Sequence, residues 1–274
     1  MKKLKLQKVL FYLLLFVMTA FYIGPFLFSL SISFNAEQDV FSWPIKLIPE
    51  KWTLANYARV WEDLPFETWL INSVIITLVQ TVANVFFASL AGFAFARLHF
   101  PGKNIIFSVL LASLMIPGII LLVPKFIILN EFRLINTYSG LILPGLVSVV
   151  NIFLMKQFFE TIPKDLEEAA LIDGCSYFRI FWQIFLPVSK PALAAVAIYT
   201  FQGSWNEFMW PVIVTTTQDM FTLPVGMSFL KNEFQVQWPL MMAGTILISL
   251  PTLAIFLIFQ RYFVQGVASA GLKE

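Results

Sequence analysis

The chain has 274 residues, of which 59% are hydrophobic, 16% are aromatic (30 of them Phe) and only 12% are charged. A soluble chain carries about 25% charged residues, so the charge content is half of normal, and it is unevenly spread. Runs 9–36, 68–96, 104–124, 134–155 and 234–260 contain no Asp, Glu, Lys or Arg, and 191–218 contains one, Glu207. These six runs cover 155 positions and hold one of the 34 charged residues. Each reaches the ~20 residues that a helix needs to cross the hydrocarbon core of a bilayer. The pattern excludes a soluble enzyme, a nucleic-acid-binding domain and a disordered chain. It also excludes a β-barrel, whose strands alternate with period two over about 10 residues. The expected fold class is an all-α membrane protein with six transmembrane helices.

The single Cys175 and single His99 narrow the chemistry. One Cys allows no internal disulfide, and one His cannot build a zinc site alone. No G-x-x-x-x-G-K-[ST] loop occurs, because Gly102-Lys103 is followed by Asn104 and lacks the upstream Gly. ATP hydrolysis by the common phosphate-loop route is therefore not expected of this chain. A Ser–His intramembrane protease would depend on His99, which lies outside every apolar run, between Arg97 and Lys103.

In chain order, residues 1–8 form a basic arm with Lys2, Lys3, Lys5 and Lys8. The apolar run that follows is longer than the 7–15 residues typical of a signal-peptide core, so it reads as a retained span. Spans are expected at about 9–34, 69–96, 104–129, 138–157, 191–217 and 239–261, in one membrane domain over 9–274. With the N-terminus inside, the inner segments hold 12 Lys and Arg and the outer segments six. This bias places both termini in the cytoplasm under the positive-inside rule.

The outer segment 35–68 carries Trp43, Trp52 and Trp61, with Trp69 just beyond it, and these read as interface anchors. In the second span, Ala88, Gly92 and Ala96 put small residues on one helical face for close helix approach. Gln80 and Asn84, one turn apart, can bond to a neighbouring helix. Pro117-Gly118 and Pro144-Gly145 are expected to kink the third and fourth spans.

The loop 158–190 is the most organised inner segment. Asp165, Glu167 and Glu168 follow Pro163 and complement the positive end of a helix dipole, with Thr161 as the expected N-cap. Gly174 supplies a left-handed stop. The spacing predicts a helix over 162–173 with Leu166, Ala169 and Ala170 on one face, shaped for a groove on a soluble partner. Phe178, Phe181, Trp182 and Phe185 recur at i, i+3, i+4 and i+7. They predict an amphipathic helix at the membrane surface, ending at Leu186-Pro187.

Glu168-Ala169-Ala170, three residues, Gly174, nine residues, then Ile184-x-Leu186-Pro187 resembles the EAA signature of ATP-binding-cassette (ABC) importer permeases. Ser204-Trp205-Asn206-Glu207-Phe208-x-Trp210-Pro211 is similar to a span-five signature of the carbohydrate branch. Gln260-Arg261-Tyr262-Phe263-Val264-x-Gly266 and the tail Ala270-Gly271-Leu272-Lys273 resemble its MalG-like members, which more often end Gly-Ala-Val-Lys.

The resemblance implies a type I ABC importer permease (MetI-like) fold in a bacterial cytoplasmic membrane. It implies a second homologous permease, two cytoplasmic ATP-binding subunits and an extracytoplasmic solute-binding protein as partners. ATP and Mg would be held by the ATPase, with no cofactor on this chain. It assigns ATPase coupling to Glu168, Ala169, Ala170, Asp173, Gly174, Leu186 and Pro187, and ATPase contact to Gly271, Leu272 and Lys273. Segment 218–238 is the counterpart of a loop that enters the binding protein's cleft in maltose-type relatives.

Glu207 stands near the middle of its run. A charge at a helix centre costs roughly 2.5–3.5 kcal/mol, so it must meet a cavity or a polar partner. One reading makes Trp205, Asn206, Glu207 and Trp210 a lining of the translocation path, with the indoles stacked on sugar rings. The other makes Glu207 a structural or gating group. Among whole-protein readings, a sugar importer subunit leads, followed by a subunit for glycerol phosphate, a polyol or a peptide. An ion-driven secondary transporter would want paired intramembrane charges, and the spans offer only Glu207. A membrane enzyme lacks a catalytic pair.

Overall fold

The computed structural model describes the backbone of residues 2–37, 48–230 and 237–270, and the side chains of 7–37, 48–230 and 237–259. The described residues divide into two compact units, one drawn from Met1–Glu67 and Gly226–Pro251, the other from Thr68–Val225 and Thr252–Glu274. Helices in chain order are α1 Lys2–Ser33, α2 Ala55–Glu62, α3 Phe66–Arg97, α4 Lys103–Ser113, α5 Leu122–Glu131, α6 Tyr138–Ile142, α7 Val149–Thr161 and α8 Lys164–Ile172. They continue as α9 Tyr177–Ile180, a π-helical turn Phe181–Phe185, α10 Leu186–Val188, α11 Lys190–Trp205, α12 Met209–Val214, α13 Leu223–Ser228 and α14 Trp238–Ala270.

Among the described residues, three helices are long and apolar enough to cross a membrane: Gln7–Ser33 within α1, α3, and Trp238–Phe259 within α14. The other expected spans are broken. Lys103–Ser113 and Gly118–Glu131 meet at 94°, and Tyr138–Gly145 and Val149–Thr161 at 40°; a third bend, 79° between Tyr177–Val188 and Lys190–Trp205, separates the end of the expected loop 158–190 from the start of the fifth span. The count reaches six when each bent pair is taken as one span. Three of the six expected helices are thus not continuous. Pro117 and Pro144 remove backbone donors, and a helix interrupted there must find other partners for its freed carbonyls. The fifth expected span, 191–217, stops at Trp205 and resumes at Met209.

In the first unit, none of the most apolar window of α1 is buried. Its end is fixed to α2: Asn56 Nδ2 donates to Ser33 O at 2.9 Å and Asn35 O at 2.8 Å, and the Ser33 and Tyr57 hydroxyls lie 2.7 Å apart. Phe34 packs between Trp52 and Tyr57. Trp52 and Trp61 are exposed, as anchors would be, whereas Trp43 lies outside the described residues.

In the second unit, Trp69 is not an anchor. It is buried, and its Nε1 donates to Gln218 O at 3.0 Å. Asn72 Nδ2 donates to Asp219 O and Phe221 O, and Ser73 Oγ accepts from Leu223 N–H, so segment 218–223 lies along α3. The small-residue face of α3 meets α7. Ala88 is fully buried, and a Cβ at Gly92 would stand 2.7 Å from Met155 Cβ and 2.9 Å from Lys156 N. Around this contact Phe93, Phe159, Phe181 and Phe185 interlock, with Ala170 and Val196 in the same core. Edge-to-face aromatic pairs each add about 0.5–1.5 kcal/mol beyond their burial.

Candidate functional site

The second unit contains a cavity of about 440 Å³, within the range of small-molecule sites. Its wall is made where the helices break. Around Leu143–Gly145 the α6–α7 path leaves carbonyls without helical donors, and α3 supplies them. Gln80 Nε2 donates to Leu141 O (3.1 Å) and Ile142 O (3.2 Å). Asn84 Nδ2 donates to Gly145 O at 2.7 Å. The missing side chain at Gly145 leaves room for the Gln80 amide, which would have to swing aside from a Cβ there. Asn151 then links α3 and α11, its Nδ2 donating to Asn84 Oδ1 (3.0 Å) and Thr200 Oγ1 (2.8 Å). Its Oδ1 is buried with no hydrogen-bond partner, an acceptor left over at the cavity wall. Sequence reading found Gln80 and Asn84 but missed Asn151 and Thr200, each an isolated polar residue in an apolar run.

Glu207 lines the same cavity from the α11–α12 break, with Gln202, Ser204 and Trp210 beside it and Lys125 of α5 also in the wall. It does not sit at the centre of a helix, so the cost of a helix-centre charge does not apply as expected. Asn206 Nδ2 donates to Gln202 O at 2.8 Å, closing the end of α11, and Glu207 Oε1 accepts from Trp210 N–H at 3.1 Å, opening α12. A carboxylate at a helix start complements both the free donors and the dipole. Asn206 and Glu207 are exposed. Trp205 and Trp210 are not. Trp205 is buried and stacked on Phe201 at 5.6 Å, and Trp210 donates its Nε1–H to Gly140 O at 3.1 Å. The reading in which both indoles stack on sugar rings meets rings already covered by protein.

Glu207→Gln keeps an oxygen for the Trp210 N–H and removes only the charge. We expect normal assembly with altered transport kinetics; unchanged kinetics would assign Glu207 to capping alone. Glu207→Ala removes the acceptor and should cost about 1 kcal/mol, read as a lower unfolding temperature in detergent.

The loop helix α8 is shorter than 162–173, and its cap differs. Thr161 ends α7 and donates to Phe158 O at 2.7 Å; Pro163 occupies the N-cap position. Its C-terminus is a Schellman motif. Gly174 has φ +78°, Gly174 N–H donates to Leu171 O and Cys175 N–H to Ala170 O. Glu168, Ala169, Ile172, Asp173 and Gly174 form an exposed edge. Ala170 turns inward, 7% exposed in the core, which corrects the expectation that Ala169 and Ala170 share the outer face.

The apolar stripe after it is also divided. Phe181 and Phe185 are buried in the bundle, while Phe178 and Trp182 stay exposed. Only half of that stripe is free for a membrane surface. Leu186 packs against the core and Pro187 is exposed; the helical path runs past them to Val188. Gly271, Leu272 and Lys273 lie outside the described residues, as does 231–236 of the expected outer loop.

The chain thus combines bent helix pairs, a polar cavity at the breaks and an exposed capped helix beside the same core. Residues 84–269 match the family of binding-protein-dependent transport system inner membrane components. The arabino-oligosaccharide transport permease AraQ of Halalkalibacterium halodurans is 37% identical, over 91% of this chain and 90% of that protein. The diacetylchitobiose uptake permease NgcG of Streptomyces coelicolor is 34% identical, over 95% and 87%. The sn-glycerol-3-phosphate permease UgpE of Yersinia enterocolitica is 33% identical, over 89% and 91%. A chain of a bacterial ABC transporter involved in the import of the acidic polysaccharide alginate has the same fold, with a TM-score of 0.86 at 20% identity over 94% of this chain and 97% of that one. The chain belongs to the binding-protein-dependent transport system inner membrane components. It has the type I ABC importer permease fold and is a membrane permease subunit rather than an enzyme.

Proposed function

We propose that this chain is one of two permease subunits of an ATP-driven importer of a sugar or oligosaccharide. In this reading it lines half of the translocation path and is driven through α8 by a cytoplasmic ATPase. The observation that carries the reading is the pairing, within one packed unit, of an exposed Schellman-capped helix and a cavity walled by amides and hydroxyls. Amides, hydroxyls and one carboxylate suit a polyhydroxylated solute, whose every hydroxyl both donates and accepts. The names of the arabino-oligosaccharide and diacetylchitobiose relatives support the same class.

The exposed edge from Glu168 to Gly174, with Pro187, would seat in the ATPase; Ala170 and Leu186 would hold that edge to the bundle. A second permease and two ATP-binding subunits complete the assembly, with ATP and Mg held by the latter. A binding protein delivers the solute from outside, and both termini face the cytoplasm. The tail 271–273 would add a contact to the ATPase subunits.

The purified chain alone should turn over no ATP, checked by phosphate release; turnover without a partner would refute this division of labour. A phosphorylated polyol is the second reading, supported by the glycerol-3-phosphate relative and by Lys125 at the cavity. Binding assays on the co-purifying solute-binding protein decide between them: sugar binding favours the first, and selective glycerol-3-phosphate binding the second.

A further inference from the structure

Arg97 is the last residue of α3, and by sequence it is only one of twelve inner Lys and Arg. In the structure it is buried, 6% exposed. Its Nη2 donates to Phe159 O at 2.6 Å and to Ile162 O, carbonyls at the end of α7. A helix C-terminus leaves such carbonyls free and carries the negative end of the dipole. Its Nη1 lies 3.6 Å from Glu167 Oε2 on α8, and its guanidinium stands 5.0 Å above the Phe185 ring. Glu167 is itself buried, 9% exposed, on the face of α8 opposite its free edge.

One side chain therefore grips the end of α7, α8 and the turn after α9 at once, and it belongs to the helix that carries Gln80 and Asn84 into the cavity. A guanidinium suits this task because its donors form a rigid planar fork and its charge is never lost. Its Nε–H is buried without a hydrogen-bond partner. Leaving a buried donor unpaired is unfavourable, so this is a poor arrangement for stability alone.

We propose that Arg97 and Glu167 form the positioning link that passes movement of α8 to α3 and hence to the cavity; this rests on the reading of α8 as the ATPase-docking helix. The pair fixes α8 rigidly to α3, so that a push on the exposed edge moves the cavity wall instead of bending the loop.

The test uses the complete transporter in vesicles, with this chain carrying Glu167→Gln, Glu167→Asp or Arg97→Lys. Three quantities are read on each preparation: retention of the ATPase subunits, ATP hydrolysis and solute uptake. Glu167→Gln and Arg97→Lys should retain the ATPase and hydrolyse ATP, yet import about tenfold less solute per ATP, the scale on which one buried charged contact acts. Glu167→Asp should recover part of that loss. An unchanged uptake-to-hydrolysis ratio in both variants overturns the proposal. Loss of assembled complex in both also overturns it, by assigning the pair to folding. Ala169→Trp, on the exposed edge, is run in parallel. If it keeps both ATPase and coupling, the docking reading fails; if it loses them while the two charge variants stay coupled, docking stands and the link falls.

Discussion

Gly174→Val should lower ATP-driven uptake about tenfold or more while leaving the chain folded and in the membrane. An added Cβ at Gly174 would meet nothing within 4 Å, so crowding is not the cause. The cause is the backbone: φ is +78°, where an L-residue pays roughly 1–2 kcal/mol and a β-branched one more. That strain is relieved most easily by unwinding the last turn of α8, breaking the Gly174–Leu171 and Cys175–Ala170 bonds. Ile172 and Asp173 lie in that turn, on the exposed edge that the proposed ATPase contact uses. Since about 1.4 kcal/mol is a tenfold change in an equilibrium, docking should weaken at least tenfold. Gly174→Asn is the control, because Asn adopts the left-handed region with little strain. Uptake should return in it, with ATPase co-purification following the same order. Normal uptake in Gly174→Val would remove the helix end from the coupling account.

Gly92→Leu should be the most damaging single change to the fold of the second unit. The added carbons would enter space held by Met155 Cβ at 2.7 Å and by the backbone of Lys156 at 2.9 Å. A backbone atom cannot rotate away, so α3 and α7 must separate. Overpacking of this kind costs about 1–3 kcal/mol and more where the neighbour is rigid. Separation would also loosen the Phe93–Phe159–Phe185 cluster and pull Asn84 from Asn151. Thermal unfolding in detergent should drop clearly for Gly92→Leu and less for Gly92→Ala. Gly24→Ala should be nearly neutral, since nothing lies within 4 Å of a Cβ there. Equal stability of Gly92→Leu and Gly24→Ala would contradict the close α3–α7 approach.

Apolar run length made the helical membrane class legible, with six spans reached only when each bent pair is taken as one, and the EAA spacing made the family legible. Small residues at 88, 92 and 96 announced the close contact because a missing side chain is itself a sequence signal. The breaks were less legible. Pro117 and Pro144 suggest kinks, but how far a helix bends depends on which neighbour satisfies the freed carbonyls, and Gln80 and Asn84 act from about sixty residues away. The direction of an apolar stripe was equally hidden. Phe181 and Phe185 have a bilayer-seeking pattern, yet the bundle offers them a better-packed site. Arg97 escaped notice because counting charges by side of the membrane treats every cation as solvated, whereas this one is buried against carbonyls.

The most direct measurement of the central claim is solute uptake into vesicles containing this chain with its proposed partners. Uptake should require ATP on the side of α8 and the solute-loaded binding protein on the other, and should stop when the ATPase subunits are left out. Uptake that continues without the ATPase, driven by an ion gradient alone, would contradict the account.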